Sequence, residues 1–253
     1  MFLMANESKK GGLGETVRTI IYAVLIALGI RTVAFEPFNI PSESMLPNLL
    51  VGDYLFVSKY SYGYSRHSLP LSMSLIPGRI LFRPPARGDV AVFKLPRDNA
   101  TDYIKRIVGL PGDRLQMRGG QLFLNGEPVR RERIEDYRHV TRQGAVVNVP
   151  QYRETLPSGV SYRTLDLQAG NSTDDTDVFV VPPGHFFAMG DNRDNSLDSR
   201  IPAAQSGVGY VPAVNLVGRA EVLFFSTDYS VSAWEFWGWF GALRFSRFFR
   251  AIE

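Results

Sequence analysis

The chain has 253 residues, of which 45% are hydrophobic, so it can bury a substantial core in one large domain or in a core with a smaller insertion. The 28 lysines and arginines barely exceed the 25 aspartates and glutamates, and the excess is spread along the chain. Nucleic-acid binders concentrate such charge in a patch, so no nucleic-acid partner is predicted. Cysteine is absent, which excludes disulfides, cysteine-ligated metals and thiol nucleophiles. The three histidines lie far apart, and no metal site is predicted.

An apolar stretch at residues 19–35 follows a polar N-terminal segment. As an α-helix it would rise roughly 26 Å, slightly less than a hydrocarbon core of about 30 Å, and the side chain of Arg31 near its end can extend to the interface. We predict a cytoplasmic segment, 1–16, and a transmembrane anchor, 17–36. A cleavable signal peptide and a buried core helix are the alternatives. The cytoplasmic assignment follows from basic residues before the stretch, at Lys9, Lys10 and Arg18.

Short apolar runs separated by Pro, Gly, Asn and Asp follow, a pattern typical of β-strands joined by turns. No helical segments separate the runs, so an antiparallel sheet is predicted. The more polar region 114–180 is predicted to be a smaller β unit inserted between two parts of a core, 37–113 and 181–253. The second part ends in an aromatic and basic tail, which fits either an interfacial segment or core packing beside a solvated face. The predicted strands are 53–58, 89–94, 103–108, 121–124 and 221–225.

Three segments carry candidate chemistry. In the first, Ser42 and Ser44 lie between two prolines, which fix the backbone and can present a nucleophile, although a plain turn with solvated serines also fits. In the second, Lys105 lies in a predicted strand among apolar residues. Burial would lower the pKa of its amine and make it a general base, whereas an edge position would leave it solvated. The third, 190–200, is rich in carboxylates but does not fit the EF-hand spacing, which leaves a charge-paired structural loop as the alternative.

Together, in this order and after one apolar helix, these segments resemble the type I signal peptidases. The block at 190–200 is the most specific part of the resemblance. The resemblance implies a mostly β fold, with an antiparallel β catalytic core, an inserted smaller β subdomain and one N-terminal transmembrane helix. It also implies a membrane-bound serine endopeptidase that removes signal peptides at the periplasmic face of the bacterial inner membrane. The matching blocks are Pro41–Met45, Gly52–Asp53, Arg87–Asp89, Tyr103–Arg106, Gly109–Asp113, Gly190–Arg200 and Asn215–Arg219.

By this resemblance, Ser44 is the nucleophile and Lys105 is the general base of a Ser/Lys dyad. Ser42 would donate to the oxyanion hole, and Ser196 would orient the lysine amine. No metal or cofactor is implied, and the implied partners are preprotein signal peptides, membrane lipid and the secretion translocon. Two ion pairs would brace the site, Asp191 with Arg106 and Asp198 with Arg200. The pockets for substrate would be lined by Phe38, Ile40, Met45, Leu49, Val92, Tyr103 and Ile104.

Other functions compete with this interpretation. A self-cleaving Ser/Lys protease domain would share the β core, but that reading needs a helix-turn-helix before the core, where residues 1–37 offer an apolar helix. A membrane-anchored, β-rich adaptor without catalysis would leave the coincidence of Ser44, Lys105 and the block at 190–200 unexplained. A hydrolase based on His185 is compatible with the spacing, although a histidine beside two phenylalanines is more typical of a structural position.

Overall fold

The structure, a computed structural model, describes residues 13–69, 72–73, 75–140, 144–168, 170–228, 230 and 238–252. The segment with Lys9 and Lys10 lies outside the described residues, as does most of the aromatic stretch 234–240.

The first element is helix α1 (Leu13–Val33). It begins four residues before the start of the predicted anchor, 17–36, and ends three residues before the end of that anchor. Its 21 residues rise about 31 Å, enough to cross a hydrocarbon core. Among the described residues it is the one helix long and apolar enough to span a membrane, and none of it is buried. The alternative of a buried core helix is therefore wrong. The helix stops at Val33 because the chain from Phe35 onward is extended and pairs with a neighbouring strand.

The described residues contain nineteen β-strands. The first nine are β1 (Phe35–Asn39), β2 (Asp53–Ser58), β3 (Tyr64–Ser65), β4 (Arg79–Ile80), β5 (Val90–Lys94), β6 (Asp102–Gly109), β7 (Arg114–Arg118), β8 (Gln121–Leu124) and β9 (Glu127–Pro128). The others are β10 (Arg130–Arg133), β11 (Tyr137–Val140), β12 (Val146–Val149), β13 (Gln151–Thr155), β14 (Ser161–Leu165), β15 (Phe179–Val180), β16 (His185–Met189), β17 (Val211–Pro212), β18 (Leu216–Ser226) and β19 (Arg250–Ala251). Short helices include α2 (Trp239–Ala242) and the 3₁₀ turns Glu43–Met45, Arg66–Ser68, Ala203–Gln205, Ala213–Asn215 and Phe245–Arg247.

The central sheet has eight strands in the order β1-β2-β18-β5-β6-β16-β17, with β19 also paired to β18. Its strand pairs are antiparallel, as predicted from the lack of intervening helices. One smaller sheet contains β7, β8, β9 and β15, and another contains β10, β13 and β14. The pairs β11-β12 and β3-β4 complete the described sheets. The predicted fold class is confirmed, and the boundaries between the core and the inserted unit stay predictions.

Both faces of the central sheet are covered, as alternate residues of β5 demonstrate. Val90 and Val92 pack into one buried cluster, which also contains Leu55 of β2. Ala91 and Phe93 point the other way, into a second cluster. Because successive side chains in a strand face opposite sides, an apolar run without alternation indicates a strand that is buried on both faces. The core therefore holds β5 and β6 rigidly, and these strands line the site described below.

The C-terminal arginines have three different environments. Arg244 donates to Val51 O at 3.0 Å. Arg247 is buried and donates from Nε to Asp53 Oδ1 at 2.8 Å, whereas Arg250 is exposed on β19. Their spacing of three residues therefore does not produce a single solvated basic face.

Candidate active site

Ser44 and Lys105 are brought into contact by two different elements. Ser44 lies in the 3₁₀ turn Glu43–Met45 that follows β1, and Lys105 lies in β6. Lys105 Nζ is 2.7 Å from Ser44 Oγ, and only 8% of Ser44 and 3% of Lys105 are exposed. A hydroxyl thus lies within hydrogen-bond reach of an amine at a place from which bulk water is largely excluded.

Burial determines the protonation of Lys105. Desolvation lowers the pKa of its amine from 10.5 to about 8, although the charges of Asp198 and Asp191 oppose the shift. The amine also donates to Ile104 O at 3.0 Å and lies 5.3 Å from the centre of the Tyr103 ring. At pH 8, about half of the molecules therefore carry a neutral amine that can accept a proton from a serine hydroxyl.

The turn that carries Ser44 is held by Asn192, a residue that the sequence analysis does not single out. The backbone N–H of Asn192 donates to Ser44 O, and its Nδ2 donates to Glu43 O, both at 3.1 Å. Asn192 is almost fully buried, so these two bonds are protected from water. Its position between Asp191 and Arg193, inside the charged block, is the one sequence signal that could have identified it. The block therefore fixes the serine turn through an amide, in addition to its charged groups.

The two auxiliary serines differ in their contacts. Ser42 Oγ lies 3.3 Å from Ser44 Oγ, so its hydroxyl faces the predicted nucleophile. Ser196 Oγ is buried and has no hydrogen-bond partner among the described residues, so the contact with the lysine amine that the resemblance implies is not formed in this structure. Ser196 packs against Gly190 instead, where an added Cβ would lie 2.2 Å from Ser196 Oγ and 2.6 Å from Ser44 O. Glycine is required there because any side chain would displace both serines.

Two buried ion pairs flank the dyad, between the partners that were predicted. Arg106 Nε and Nη2 donate to the two oxygens of Asp191 at 2.9 and 2.8 Å. Arg200 likewise donates to both oxygens of Asp198 at 2.9 Å. Burial alone would raise the pKa of Asp198, but the Arg200 charge keeps it below its usual value. Such bidentate pairs are directional. The Arg106–Asp191 pair therefore fixes the loop at 190–200 against β6, and the Asp198–Arg200 pair fixes the loop internally.

A cavity of about 700 Å³ opens over the dyad. Its lining is mostly polar where the loop at 171–173 and the block at 190–200 approach, and it includes apolar side chains of β1, β5 and β6. Met45 and Leu49 do not line it, which differs from the prediction. Their side chains are 0% and 1% exposed because the turn directs them inward, into the core beneath Ser44. The other predicted substrate-binding residues do line the cavity: Phe38, Ile40, Val92, Tyr103 and Ile104.

Beside the polar part of the cavity, the carboxylates of Asp166, Asp174 and Asp194 lie within 4.8 Å of one another. Each is engaged by donors of the protein itself. Asp194 and Asp174 each accept hydrogen bonds from two backbone N–H groups, and Asp166 accepts one from Arg131. Through Asp194, residues 167 and 168 are therefore tied to the block at 190–200.

Comparison with known proteins identifies the family of this chain. Residues 13–225 match the family model described as signal peptidase, peptidase S26. The signal peptidase I of Rickettsia conorii (strain ATCC VR-613 / Malish 7) is 37% identical over 236 residues, which cover 88% of this chain and 85% of the relative. That of Rickettsia typhi (strain ATCC VR-144 / Wilmington) is 38% identical over 214 residues, which cover 81% of this chain and 78% of the relative.

A solved structure of a signal peptidase I from Enterococcus faecalis V583 is 26% identical, with a TM-score of 0.31, and the match covers 54% of this chain and 97% of that one. The assignment itself depends on the family model and the Rickettsia relatives, since both extend over most of the sequence. The chain therefore belongs to the signal peptidase family, peptidase S26, and is a serine endopeptidase.

Proposed function

We propose that Ser44 and Lys105 form the catalytic dyad with which this enzyme removes signal peptides from preproteins. The observation that carries the proposal is the 2.7 Å contact between Ser44 Oγ and the buried Lys105 Nζ at the cavity. An amine with a pKa near 8 can accept the serine proton without a third residue. His185, the other candidate base, has its Nδ1 2.9 Å from Pro183 O and does not line the cavity.

In the proposed reaction, Lys105 accepts the proton of Ser44 Oγ while Oγ attacks the carbonyl carbon of the scissile peptide bond. The Ser44 backbone N–H and Ser42 Oγ stabilise the oxyanion, each contributing roughly 3 kcal/mol. The lysine then gives the proton to the leaving amine as the C–N bond breaks, which leaves the signal peptide as an ester on Ser44. A water molecule that loses its proton to Lys105 hydrolyses this ester and restores the serine hydroxyl.

The apolar lining of the cavity supports selection of small residues in the substrate. Ile40 and Val92 line the cavity but are each 1% exposed, so they belong to a closely packed wall. Together with Phe38, Tyr103 and Ile104 they would form shallow pockets for the residues one and three places before the cut. Alanine should be preferred at both places, because a larger side chain would clash with rigid strand residues. Met45 and Leu49 would support these pockets from the core.

We further propose that α1 anchors the enzyme in the bacterial inner membrane, with the N-terminus in the cytoplasm and the dyad on the periplasmic face. Arg31 pairs with Glu36 at 2.7 Å, and Glu36 also contacts Lys59 at 2.8 Å, which fits a chain leaving the bilayer at this point. Just beyond, the Phe35 and Phe56 rings contact each other with centroids 6.3 Å apart. Aromatic rings of this kind suit the lipid interface, and the secretion translocon would deliver the substrate there.

The function is tested with purified full-length enzyme in non-ionic detergent and a preprotein. We expect one cut, placed by N-terminal sequencing of the product after an alanine. Leucine in place of that alanine should lower kcat/KM by more than roughly 200-fold, because a single misfitting methylene costs roughly 10- to 200-fold and leucine adds three carbon atoms. The Ser44→Ala variant should not cleave, and Ser158→Ala, in an exposed turn outside the cavity, should cleave at the wild-type rate. Equal rates for these two variants would refute the assignment of Ser44.

The proposed base predicts an acidic limb in the pH profile. We expect kcat/KM to rise about tenfold per pH unit below pH 8 and to level off above it, because only the neutral amine of Lys105 accepts a proton. Initial rates on a peptide substrate measure the limb. A variant with glutamine at His67, His139 and His185 should keep it unchanged, and loss of the limb in that variant would exclude lysine as the titrating group.

A further inference from the structure

A second cavity, of about 340 Å³, shares no lining residue with the active-site cavity. It lies where β13 and β14 meet β18 and the C-terminal strand β19. Three arginines contribute to its lining, Arg153, Arg163 and Arg250, together with apolar side chains that include Leu49, Leu223 and Ile252. None of the described residues that line it carries a carboxylate.

Two of the three arginines are placed opposite each other by strand pairing. Arg153 of β13 lies directly opposite Arg163 of β14 in the antiparallel register. Like charges at directly opposed positions are destabilising. On its other side Arg153 lies opposite Glu132 of β10, whose Oε1 accepts hydrogen bonds from Arg130.

Fully buried arginines of the described residues have carboxylate partners, as Arg106 has Asp191 and Arg247 has Asp53. Of the cavity arginines, Arg163 is half-buried, and Arg153 and Arg250 are exposed. For Arg163, burial lowers the pKa of the guanidinium, and the nearby charge of Arg250 lowers it further. No ion pair joins the three lining arginines to a carboxylate among the residues that the structure describes. The cavity is therefore a concentration of positive charge that a bound anion would offset.

We propose that this cavity binds a phosphate group, held by Arg153, Arg163 and Arg250. The planar guanidinium group is matched to the oxygens of a phosphate, and three of them around one concave site give the charge and the donors that such an anion needs. The apolar part of the lining would contact the carbon atoms of a phosphate ester, which favours a phosphodiester over the bare ion. Phe249, 79% exposed and next to Arg250, favours the headgroup of an anionic membrane lipid as the source.

The experiment uses the full-length enzyme in non-ionic detergent and three soluble probes: inorganic phosphate, glycerophosphoglycerol and glycerophosphocholine. Binding is measured by isothermal titration calorimetry and by thermal unfolding. A ligand that binds the folded state raises the midpoint temperature of unfolding. We expect saturable binding of the first two probes, tighter for glycerophosphoglycerol. Glycerophosphocholine should bind more weakly, because its cationic choline is repelled by the arginines.

Variants Arg163→Gln and Arg250→Gln should each weaken binding of both anionic probes at least tenfold. Arg114→Gln removes the same charge from an exposed position on β7 outside the cavity and should change binding less than twofold. All three should cleave a preprotein at the wild-type rate, which reports that they are folded. Without phosphate, Arg163→Gln should be no less heat-stable than the wild type, because a like-charge contact is relieved. Arg250→Gln, on an exposed strand, tests the site even if Arg163→Gln unfolds.

Nanodiscs distinguish the two sources. We expect the enzyme to retain bound lipid more tightly in phosphatidylglycerol discs than in phosphatidylcholine discs. Loss of this preference in Arg250→Gln, and its persistence in Arg114→Gln, would support the lipid headgroup as the source. Binding of inorganic phosphate as tight as that of glycerophosphoglycerol, with no lipid preference, would support a site for free phosphate. The absence of saturable binding to the wild type, or an equal loss in Arg114→Gln, would overturn the proposal.

Discussion

Replacing Lys105 with methionine is expected to lower kcat/KM for preprotein cleavage by about 10⁴-fold or more, and Ser44→Ala is expected to have an effect of the same size. In the proposed mechanism, the serine hydroxyl and the lysine amine share one proton-transfer step across their 2.7 Å contact, so removal of either group stops that step. The Ser44→Ala/Lys105→Met double variant should therefore be no slower than either single variant. Single-turnover rates on one preprotein measure all three, and losses that multiply in the double variant would show that the two groups act independently.

Lys105→Met should also be more stable than the wild type at neutral pH. The pKa of the folded-state amine is about 8, below the unfolded value of 10.5, so the unfolded state binds more protons and stability falls as the pH drops through this window. Methionine removes that penalty, which amounts to roughly 3 kcal/mol below pH 8. A higher midpoint for thermal unfolding of Lys105→Met, with the difference vanishing toward pH 10, would separate a catalytic defect from misfolding.

Breaking the buried pair between Arg106 and Asp191 should have the largest effect on stability. Arg106→Met leaves the Asp191 carboxylate, which is 1% exposed, without its guanidinium partner, and such a loss costs about 3–5 kcal/mol. For a chain of this size that corresponds to a fall of roughly 10 °C in the unfolding midpoint. Activity should fall as well, because Asn192, which holds the Ser44 turn, follows Asp191 directly.

Two further variants test whether the lost stability comes from the unpaired Asp191 carboxylate. The Arg106→Met/Asp191→Asn double variant should recover part of the lost stability, because the remaining amide is uncharged and can still contact the Asn48 side chain. Arg130→Met disrupts an exposed pair with Glu132 and should cost less than about 1 kcal/mol. A similar midpoint for Arg106→Met and Arg130→Met would contradict the assigned role of the buried pair.

The positions of strands can be predicted from the sequence where an apolar run is bounded by residues that favour turns. The apolar run 53–58 is bounded by turn residues, and β2 has those bounds. The same holds for 121–124 and β8, where Asn125 adopts the left-handed conformation that the following turn requires. The contact between Ser44 and Lys105 could be anticipated through the resemblance alone, because the two residues are 61 positions apart and no local pattern relates them.

Other features depend on three-dimensional placement. Met45 follows Ser44 directly and looks like a pocket residue, but a 3₁₀ turn sends neighbouring side chains in different directions and buries this one in the core. Asn192 holds the serine turn because its backbone N–H and side-chain amide face that turn in space, although it lies 148 positions after Ser44 in the sequence. Composition cannot reveal such a contact. Arg244, Arg247 and Arg250 recur every three residues in the basic tail. They do not share one solvated face, because the chain turns and then pairs with β18 within that segment.

The short connection between α1 and the dyad limits where this enzyme can cut. Only residues 34–43 separate Val33 from Ser44, and ten residues span at most about 36 Å even when fully extended. Half of that connection is β1, whose pairing with β2 keeps its length constant. With α1 in the bilayer as proposed, the Ser44 hydroxyl is held at a fixed height above the lipid. A suitable pair of alanines farther along an emerging polypeptide then stays beyond the reach of the Ser44 hydroxyl. The height of this hydroxyl above the membrane therefore selects the bond that is cut as effectively as the substrate residues beside that bond.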